Sequence, residues 1–392
     1  MYIYEDIIQL HLEVSSRCNA ACPVCNRTLN GGPKNPKMIE TDVTLEQIKQ
    51  WFPVEFIKQL RTLVLCGNYG DPMTAPELLD IVRYFRETNL DLEINMNTNG
   101  GTRTPAFWRE LSELIHPKGQ VIFSVDGLRD TNHIYRRGVN WDNVERNMRA
   151  YCQGPGNSDW EFLVFAHNEH QVEEARALAQ EIGIKKFFTK KAFGFQNWDD
   201  GTITVINVLK EDMELDYQIF PPGTPDYRNK TIIDIKAINS TYNKNNVKAV
   251  DSMFNDDSFD NHDIDHLIKL ARSTIKCRSV LYLEIFVNAE GIVFPCCFTA
   301  SRFYGNNYVA NNQVKKFTRD FGLEKITLSD SVSLKDVVSS DLWQKHYPEN
   351  WNSDNPEEKL QICSSFCGIT DEIDSVLEHK PTKKIRKPRR LE

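Results

Sequence analysis

The 392-residue sequence contains no apolar run long enough to cross a bilayer, and residues 1–6 lack the basic stretch and apolar follow-on of a secretory leader. No membrane attachment is expected, and the cytoplasm is the expected compartment. An excess of positive charge is also missing. With 55 acidic residues against 47 Lys and Arg, the formal charge is -8, which disfavours broad attachment to phosphate backbones. There is no self-similarity at a solenoid period. Hydrophobic residues at 40% and charged residues at 26% exclude wholesale disorder, and the length suits two domains or one barrel-sized domain with an appendage.

A disulfide framework is not expected either, because ten cysteines in a cytoplasmic chain of this size read as ligands or buried side chains. Their distribution favours ligands. Cys18, Cys22 and Cys25 crowd together near the N-terminus, whereas Cys277, Cys296, Cys297, Cys363 and Cys367 lie in the C-terminal third. Only Cys66 and Cys152 stand alone, and they read as small buried residues. Two groups imply two sites.

Residues 7–14 read as a strand, with Ile8, Leu10, Leu12 and Val14 alternating with Gln9, His11 and Glu13, and they run straight into the first cysteines. Helical patterns at 44–60, 75–88, 105–114, 140–151 and 171–182 then trade places with strand patterns at 63–65, 92–96, 120–125, 160–165 and 186–189. Such alternation predicts an α/β fold of parallel strands joined by helical crossovers, and about six units before residue 200 fit an open, partial (β/α)6 barrel. Polar segments at 67–72, 97–99, 124–127 and 166–168 each end or follow a predicted strand, where such folds gather their chemistry.

The pattern decays over 199–269, a connecting region rich in Asn, Asp, Thr and Lys. It returns at 280–287 and 292–294, which predict a β-hairpin around Asn288-Ala289-Glu290-Gly291. Residues 373–392 form a basic C-terminal tail, with Lys380, Lys383, Lys384, Arg386, Lys387, Arg389 and Arg390, and are expected to be disordered.

Cys18-x3-Cys22-x2-Cys25 puts three thiolates on one tight loop, enough to hold three irons of a 4Fe-4S cluster while the fourth iron stays open. The bland alternative is a zinc site or a local staple, but tetrahedral zinc takes four ligands and no fourth is obvious nearby. His11 upstream reads as an ordinary strand residue. With this spacing the chain resembles the radical S-adenosylmethionine (SAM) superfamily over roughly its first half. The resemblance implies a core over 1–198 whose cluster, on Cys18, Cys22 and Cys25, binds SAM. An electron from the cluster would then break the sulfonium, giving a deoxyadenosyl radical that takes a hydrogen from substrate. Val24 stands where the family usually has an aromatic residue, which bears on the adenine contact and not on the cluster.

The segment Gly67-Asn68-Tyr69-Gly70-Asp71-Pro72 is similar to the Gly-Gly-Glu-Pro-like stretch with which the family holds the SAM amino group. Gly67, Tyr69, Gly70 and Asp71 are therefore expected at the cofactor, although such a stretch can also be a plain turn. Asn97 and Asn99 near the end of the next strand, and Ser124 at the end of the one after, offer short polar side chains for ribose hydroxyls or a carboxylate, or for helix capping. The resemblance is close around residues 123–127 and Tyr135-Arg136-Arg137-Gly138, and it implies an arginine at the SAM carboxylate, with Arg137 preferred to Arg136. Asn168 is expected near the adenine, or as a loop cap.

Cys277 and Cys296 flank the predicted hairpin, and Cys363 and Cys367 form a second close pair, so four thiolates can surround one cluster or one zinc. The pattern resembles the twitch form of the SPASM-type auxiliary domain. It implies a small α+β domain over 270–372 with the hairpin, holding a second, auxiliary 4Fe-4S cluster on Cys277, Cys296, Cys363 and Cys367. Cys297 is the alternate ligand or a buried neighbour, and zinc is the alternative metal.

These resemblances imply a radical SAM enzyme acting on a peptide or protein, with an electron donor such as a flavodoxin or ferredoxin. Modification of RNA, through phosphate contacts of the basic tail, or of a small molecule is a second reading, and a noncatalytic metal-stabilised binding protein is a third. No general acid or base stands out.

Overall fold

A computed structural model describes residues 1–192, 194–195, 205–228, 273–304, 309–355 and 358–369. Strand and helix alternate through β1 (Gln9–Leu12), α1 (Leu45–Trp51), α2 (Val54–Gln59), β2 (Thr62–Leu65), α3 (Leu78–Thr88), β3 (Glu93–Thr98), α4 (Pro105–Ile115) and β4 (Gly119–Ser124). They continue through α5 (Asn132–Tyr135), α6 (Trp141–Cys152), β5 (Asn157–Val164), α7 (Val172–Ile182) and β6 (Lys186–Lys191). The one helix expected at 44–60 is two. Thr44 and Gln47 cap α1 reciprocally, and Pro53, which has no N–H to donate, breaks the run and starts α2.

The connecting region carries an unexpected hairpin, β7 (Ile206–Leu209) with β8 (Leu215–Ile219). Beyond it come β9 (Thr274–Ile275), α8 (Arg278–Tyr282), β10 (Glu284–Val287), β11 (Val293–Phe294), α9 (Cys297–Ala300) and α10 (Val309–Phe321). The last elements are α11 (Leu334–Ser339), α12 (Tyr347–Asn352), α13 (Gln361–Cys367) and β12 (Gly368–Ile369). Residues expected to begin the C-terminal hairpin strand are helical in α8, which ends at Leu283 with a positive φ of 52° before β10 starts. Residues 199–204 and 229–269 of the connecting region and the basic tail lie outside the described residues. No described helix is long and apolar enough to cross a membrane.

Among the described residues, eight strands form one sheet in the order β11-β10-β1-β2-β3-β4-β5-β6, parallel throughout except for β10 with β11. This is the expected partial barrel, with one addition: the C-terminal hairpin joins the same sheet beside β1, with Leu10 aligned on both Leu63 and Ile285. One face, including Leu10, Leu12, Leu63, Leu65, Ile94, Met96, Val121 and Phe123, is fully buried, and Trp108 of α4 packs its ring on Phe123. The other face aligns His11, Val64, Asn95 and Gln120 in register, followed by Asn97 with Ile122. Period-two alternation thus separates a helix-packed face from a polar one.

Arg86 of α3 ties the helical layer together. Its guanidinium is buried and donates to the carbonyls of Leu92 (2.6 Å), Lys118 (2.7 Å), Leu114 (3.1 Å), Ile115 (3.2 Å) and Leu90 (3.3 Å), covering the C-terminus of α4. Arg86→Leu strands these carbonyls without donors, so urea unfolding is expected to show a loss of about 3 kcal/mol. A loss within the range of an ordinary surface substitution would contradict that role.

Candidate functional site

The chain leaves β1 directly into the first cysteines, and buried polar groups hold that loop. Arg27 donates to the Cys18 carbonyl (2.7 Å) and to Glu40 (2.6 Å), while Ala21 N donates to the Arg137 carbonyl (2.8 Å). Two side chains turn donors toward the sulfurs. Arg136 Nη1 lies 3.7 Å from Cys22 Sγ, and Asn99 Nδ2 lies 3.6 Å from Cys18 Sγ. Ala20 N adds a third donor, 3.4 Å from Cys18 Sγ.

Burial pushes all three thiols up, the Cys25 thiol to about 11, and the charge of the neighbouring cysteines adds to this for Cys18 and Cys25. Protonated thiols are therefore the resting form without a cation, and iron ligation would reverse that preference. Among the described residues no three His, Cys, Asp or Glu side chains converge closely enough to share a single metal ion. The fit to a larger cluster rests on the three desolvated sulfurs and the donors aimed at them.

The turn at 67–71 packs against this loop. A Cβ on Gly70 would stand 1.7 Å from the Ser15 carbonyl oxygen, and one on Gly67 would stand 2.6 Å from Glu13 Oε1. Asp71 is buried and its oxygens are filled by Thr98 Oγ1 (2.9 and 3.0 Å), Asn99 N (2.8 Å) and Met73 N (3.0 Å). It fastens the end of β3 to the turn rather than presenting a free carboxylate to an ammonium. The Tyr69 hydroxyl donates to the Ser301 carbonyl at 2.8 Å.

Of the two adjacent arginines, Arg136 faces the cysteines and Arg137 does not. Arg136 Nε donates to Asp126 Oδ2 (2.6 Å), and although burial opposes its charge, Asp126 and the Cys22 sulfur hold its pKa well above the ordinary value. Arg137 instead pairs with Asp216 (2.6 Å) and the Leu209 carbonyl (2.6 Å) of the β7–β8 hairpin. Asn168 is fully buried, donating to the Asp126 and Leu163 carbonyls (2.9 Å each) and accepting from Phe165 N (2.7 Å), which makes it a loop cap and leaves no group for adenine. Asn97 and Ser124 are half-buried on the polar side of the sheet, where a ligand can reach them.

In the C-terminal third, β9 pairs with β12, and Lys276 N donates to the Cys367 carbonyl (2.9 Å), bringing Cys277 to the end of α13. Cys363 and Cys367 sit one helical turn apart on α13. Burial raises the thiols of Cys277, Cys296, Cys363 and Cys367, and Cys277 raises the other three further, so each of those three lies within electrostatic reach of Cys277. The Cys297 thiol is turned to His11. Burial works against a charged His11, yet contacts with Cys297, Cys66 and Glu284 hold its pKa well above the usual histidine value.

Two residues of this region, His11 and Glu13, are not among the expected site residues, and Arg136 ranks there below Arg137. His11 and Glu13 occupy the polar side of the β1 alternation, which is the inner face of the sheet. Glu13 accepts from Tyr69 N (2.7 Å) and Gly70 N (3.0 Å), and burial pushes its carboxyl up to about 7.

Residues 12–179, from the end of β1 into α7, match the family model of the Radical SAM superfamily. An AdoMet-dependent heme synthase of Methanosarcina barkeri (strain Fusaro / DSM 804) is 24% identical over 177 residues, which cover 44% of this chain and 46% of that protein. The chain thus spans less than half the length of the curated relative it matches. Streptococcus suis SuiB bound to precursor peptide SuiA aligns with 93% of this chain and 73% of its own at 12% identity and a TM-score of 0.47. Native anSMEcpe with bound AdoMet aligns with 92% of this chain and 89% of its own at 14% identity and a TM-score of 0.44.

The packing of the turn makes Gly70→Ala costly, because the new methyl meets main chain that cannot step aside. A loss of about 3 kcal/mol in urea unfolding is expected, and a neutral result would refute the close approach. Glu13, with its folded value near 7 and an ordinary value of 4.5, keeps its proton in the folded state across an interval where the unfolded chain loses it. Its contribution to stability is present below pH 4.5 and is lost as pH rises toward 7. Glu13→Gln is expected to gain stability relative to wild type over that window, and a constant difference between pH 4.5 and 7 would rule out the shift.

Proposed function

We propose that this chain is a radical SAM enzyme in which Cys18, Cys22 and Cys25 hold a catalytic 4Fe-4S cluster. In the same reading Cys277, Cys296, Cys363 and Cys367 hold an auxiliary centre, and the substrate is a peptide or protein. The observation that carries the first part is the set of three desolvated thiols with the Arg136 guanidinium and the Asn99 amide aimed at their sulfurs, inside the radical SAM domain. When bound, the cluster supplies the electron that cleaves the SAM sulfonium.

The remaining roles belong to the chain itself. Arg136 keeps a fixed positive charge beside the sulfurs because Asp126 neutralises its desolvation, and the same guanidinium suits the carboxylate of SAM. Asp71 holds Asn99 in place through its backbone N–H, and Asn97 and Ser124 offer ribose partners from the polar face. The β7–β8 hairpin bonds to the cysteine loop through Leu209 N and the Asn30 carbonyl (3.0 Å), shielding that side of the loop from water. The gathering of four thiols beside the radical SAM domain, in the twitch-like pattern, supports both the auxiliary centre and the peptide reading. A flavodoxin or ferredoxin is the proposed electron donor.

Anaerobic reconstitution with iron and sulfide tests this. Under a strong reductant the wild-type chain is expected to convert SAM to deoxyadenosine, Cys18→Ala, Cys22→Ala and Cys25→Ala to form none, and Arg136→Ala to be slower by at least about tenfold. Wild-type rates in any cysteine variant, or a purified chain that holds only zinc and leaves SAM intact, would defeat the proposal.

A further inference from the structure

The segment after Cys296 rests on the N-terminal cysteine loop through side-chain amides that read only its main chain. Asn68 Nδ2 donates to the Cys297 carbonyl (2.9 Å), Asn26 Nδ2 to the Ser301 carbonyl (3.0 Å) and Asn35 Nδ2 to the Tyr304 carbonyl (2.9 Å). Asn26 follows Cys25 directly, and Asn35 Nδ2 also donates to the Asn26 carbonyl (2.9 Å), so the three amides grip both the loop and the 67–71 turn. The partners stand between 229 and 275 positions apart in sequence, so none of these bonds is a by-product of local structure.

The other end of the same segment belongs to the C-terminal thiol group. Cys296 opens α9, and Phe298 stacks on Phe366 of α13 with ring centres 4.4 Å apart, between Cys363 and Cys367 in the chain. A helix of one turn and the bend after it therefore reach from one thiol group to the other.

We propose that residues 296–304 are a strut through which the filled C-terminal thiol centre fixes the geometry of the N-terminal cysteine loop, with Asn26, Asn35 and Asn68 as its positioning residues. The proposal rests on the reading that both groups hold metal. A metal centre on Cys277, Cys296, Cys363 and Cys367 cross-links three separate stretches of chain and removes the freedom of Cys296. A short segment held at three points passes that restriction on to the main chain around Cys25 and Asn68. The coupling is reciprocal, so an ordered N-terminal loop also favours filling of the C-terminal centre.

The test uses the full chain with Cys18, Cys22 and Cys25 all changed to Ala, so that only the C-terminal group loads iron and sulfide. Amide hydrogen exchange at residues 26–35 and 67–70 is compared between the loaded and the metal-free chain, with iron content measured alongside. Loading is expected to slow exchange at both stretches by about tenfold. Adding Asn26→Ala and Asn68→Ala should leave iron uptake intact and abolish the slowing, and Asn68→Ala alone, which keeps the test readable if the double variant misfolds, should reduce it.

A purely structural role for the asparagines would change exchange equally in both states and preserve the ratio, which would overturn the strut. Equal exchange in loaded and metal-free chains with iron present would overturn it too. Absence of any iron uptake would overturn the C-terminal centre itself, and the strut with it.

Discussion

The hydrogen-bond ladders on the two edges of β1 fix where everything else in the site lies. Gln9 to Leu12 align with Thr62 to Leu65 on one side and with Glu284 to Val287 on the other, and Glu13 N continues the second ladder to the Val287 carbonyl (2.9 Å). A four-residue strand alone would be unstable, but one held on both edges with Leu10 and Leu12 fully buried is rigid. The strand that delivers the cysteine loop is thus the strand that receives the C-terminal hairpin. The two thiol groups are set against each other by main-chain geometry before any side chain contributes.

Three buried carboxylates lie around the polar side of that strand and the cysteine loop, and Glu13, Asp71 and Asp126 each have partners. Glu13 takes two backbone donors, and Asp71 takes donors from three residues. Asp126 takes Arg136 and Leu163 N (2.7 Å). Such groups add little net stability, yet losing one partner leaves the other desolvated and unpaired, so they select one arrangement of the loop and turn over near alternatives. The arginine beside Cys22 is consistent with this pattern, since its charge is balanced whether or not the sulfur is ionised.

Much of the fold was readable because strand and helix alternate with clear periods, and the cysteine spacing marked the loop. A residue whose partner lies far away in sequence was not legible in the same way. Arg136 and Arg137 look interchangeable until Asp126 and Asp216 decide which way each one points. Asp71 and Asn168 sit in positions that suggest a ligand, but neighbouring backbone groups consume their hydrogen bonds. His11 and Glu13 alternate with apolar residues as a solvent-facing set would, and only the closure of β10 onto β1 makes that face interior. The β7–β8 hairpin was missed because its short strands are interrupted by polar residues and lie in a stretch of decaying pattern.

Pairing between residues as distant as Gln9 and Glu284 has a consequence for biosynthesis. A ribosome making this chain exposes β1, β2 and the following crossover units long before the residues that finish the sheet emerge. Until then one margin of the first strand is an unsatisfied template, apolar on one side and directly joined to free thiols. Newly made protein must therefore be sheltered late into synthesis, and truncation before the C-terminal hairpin would leave an adhesive remnant in place of a smaller working domain.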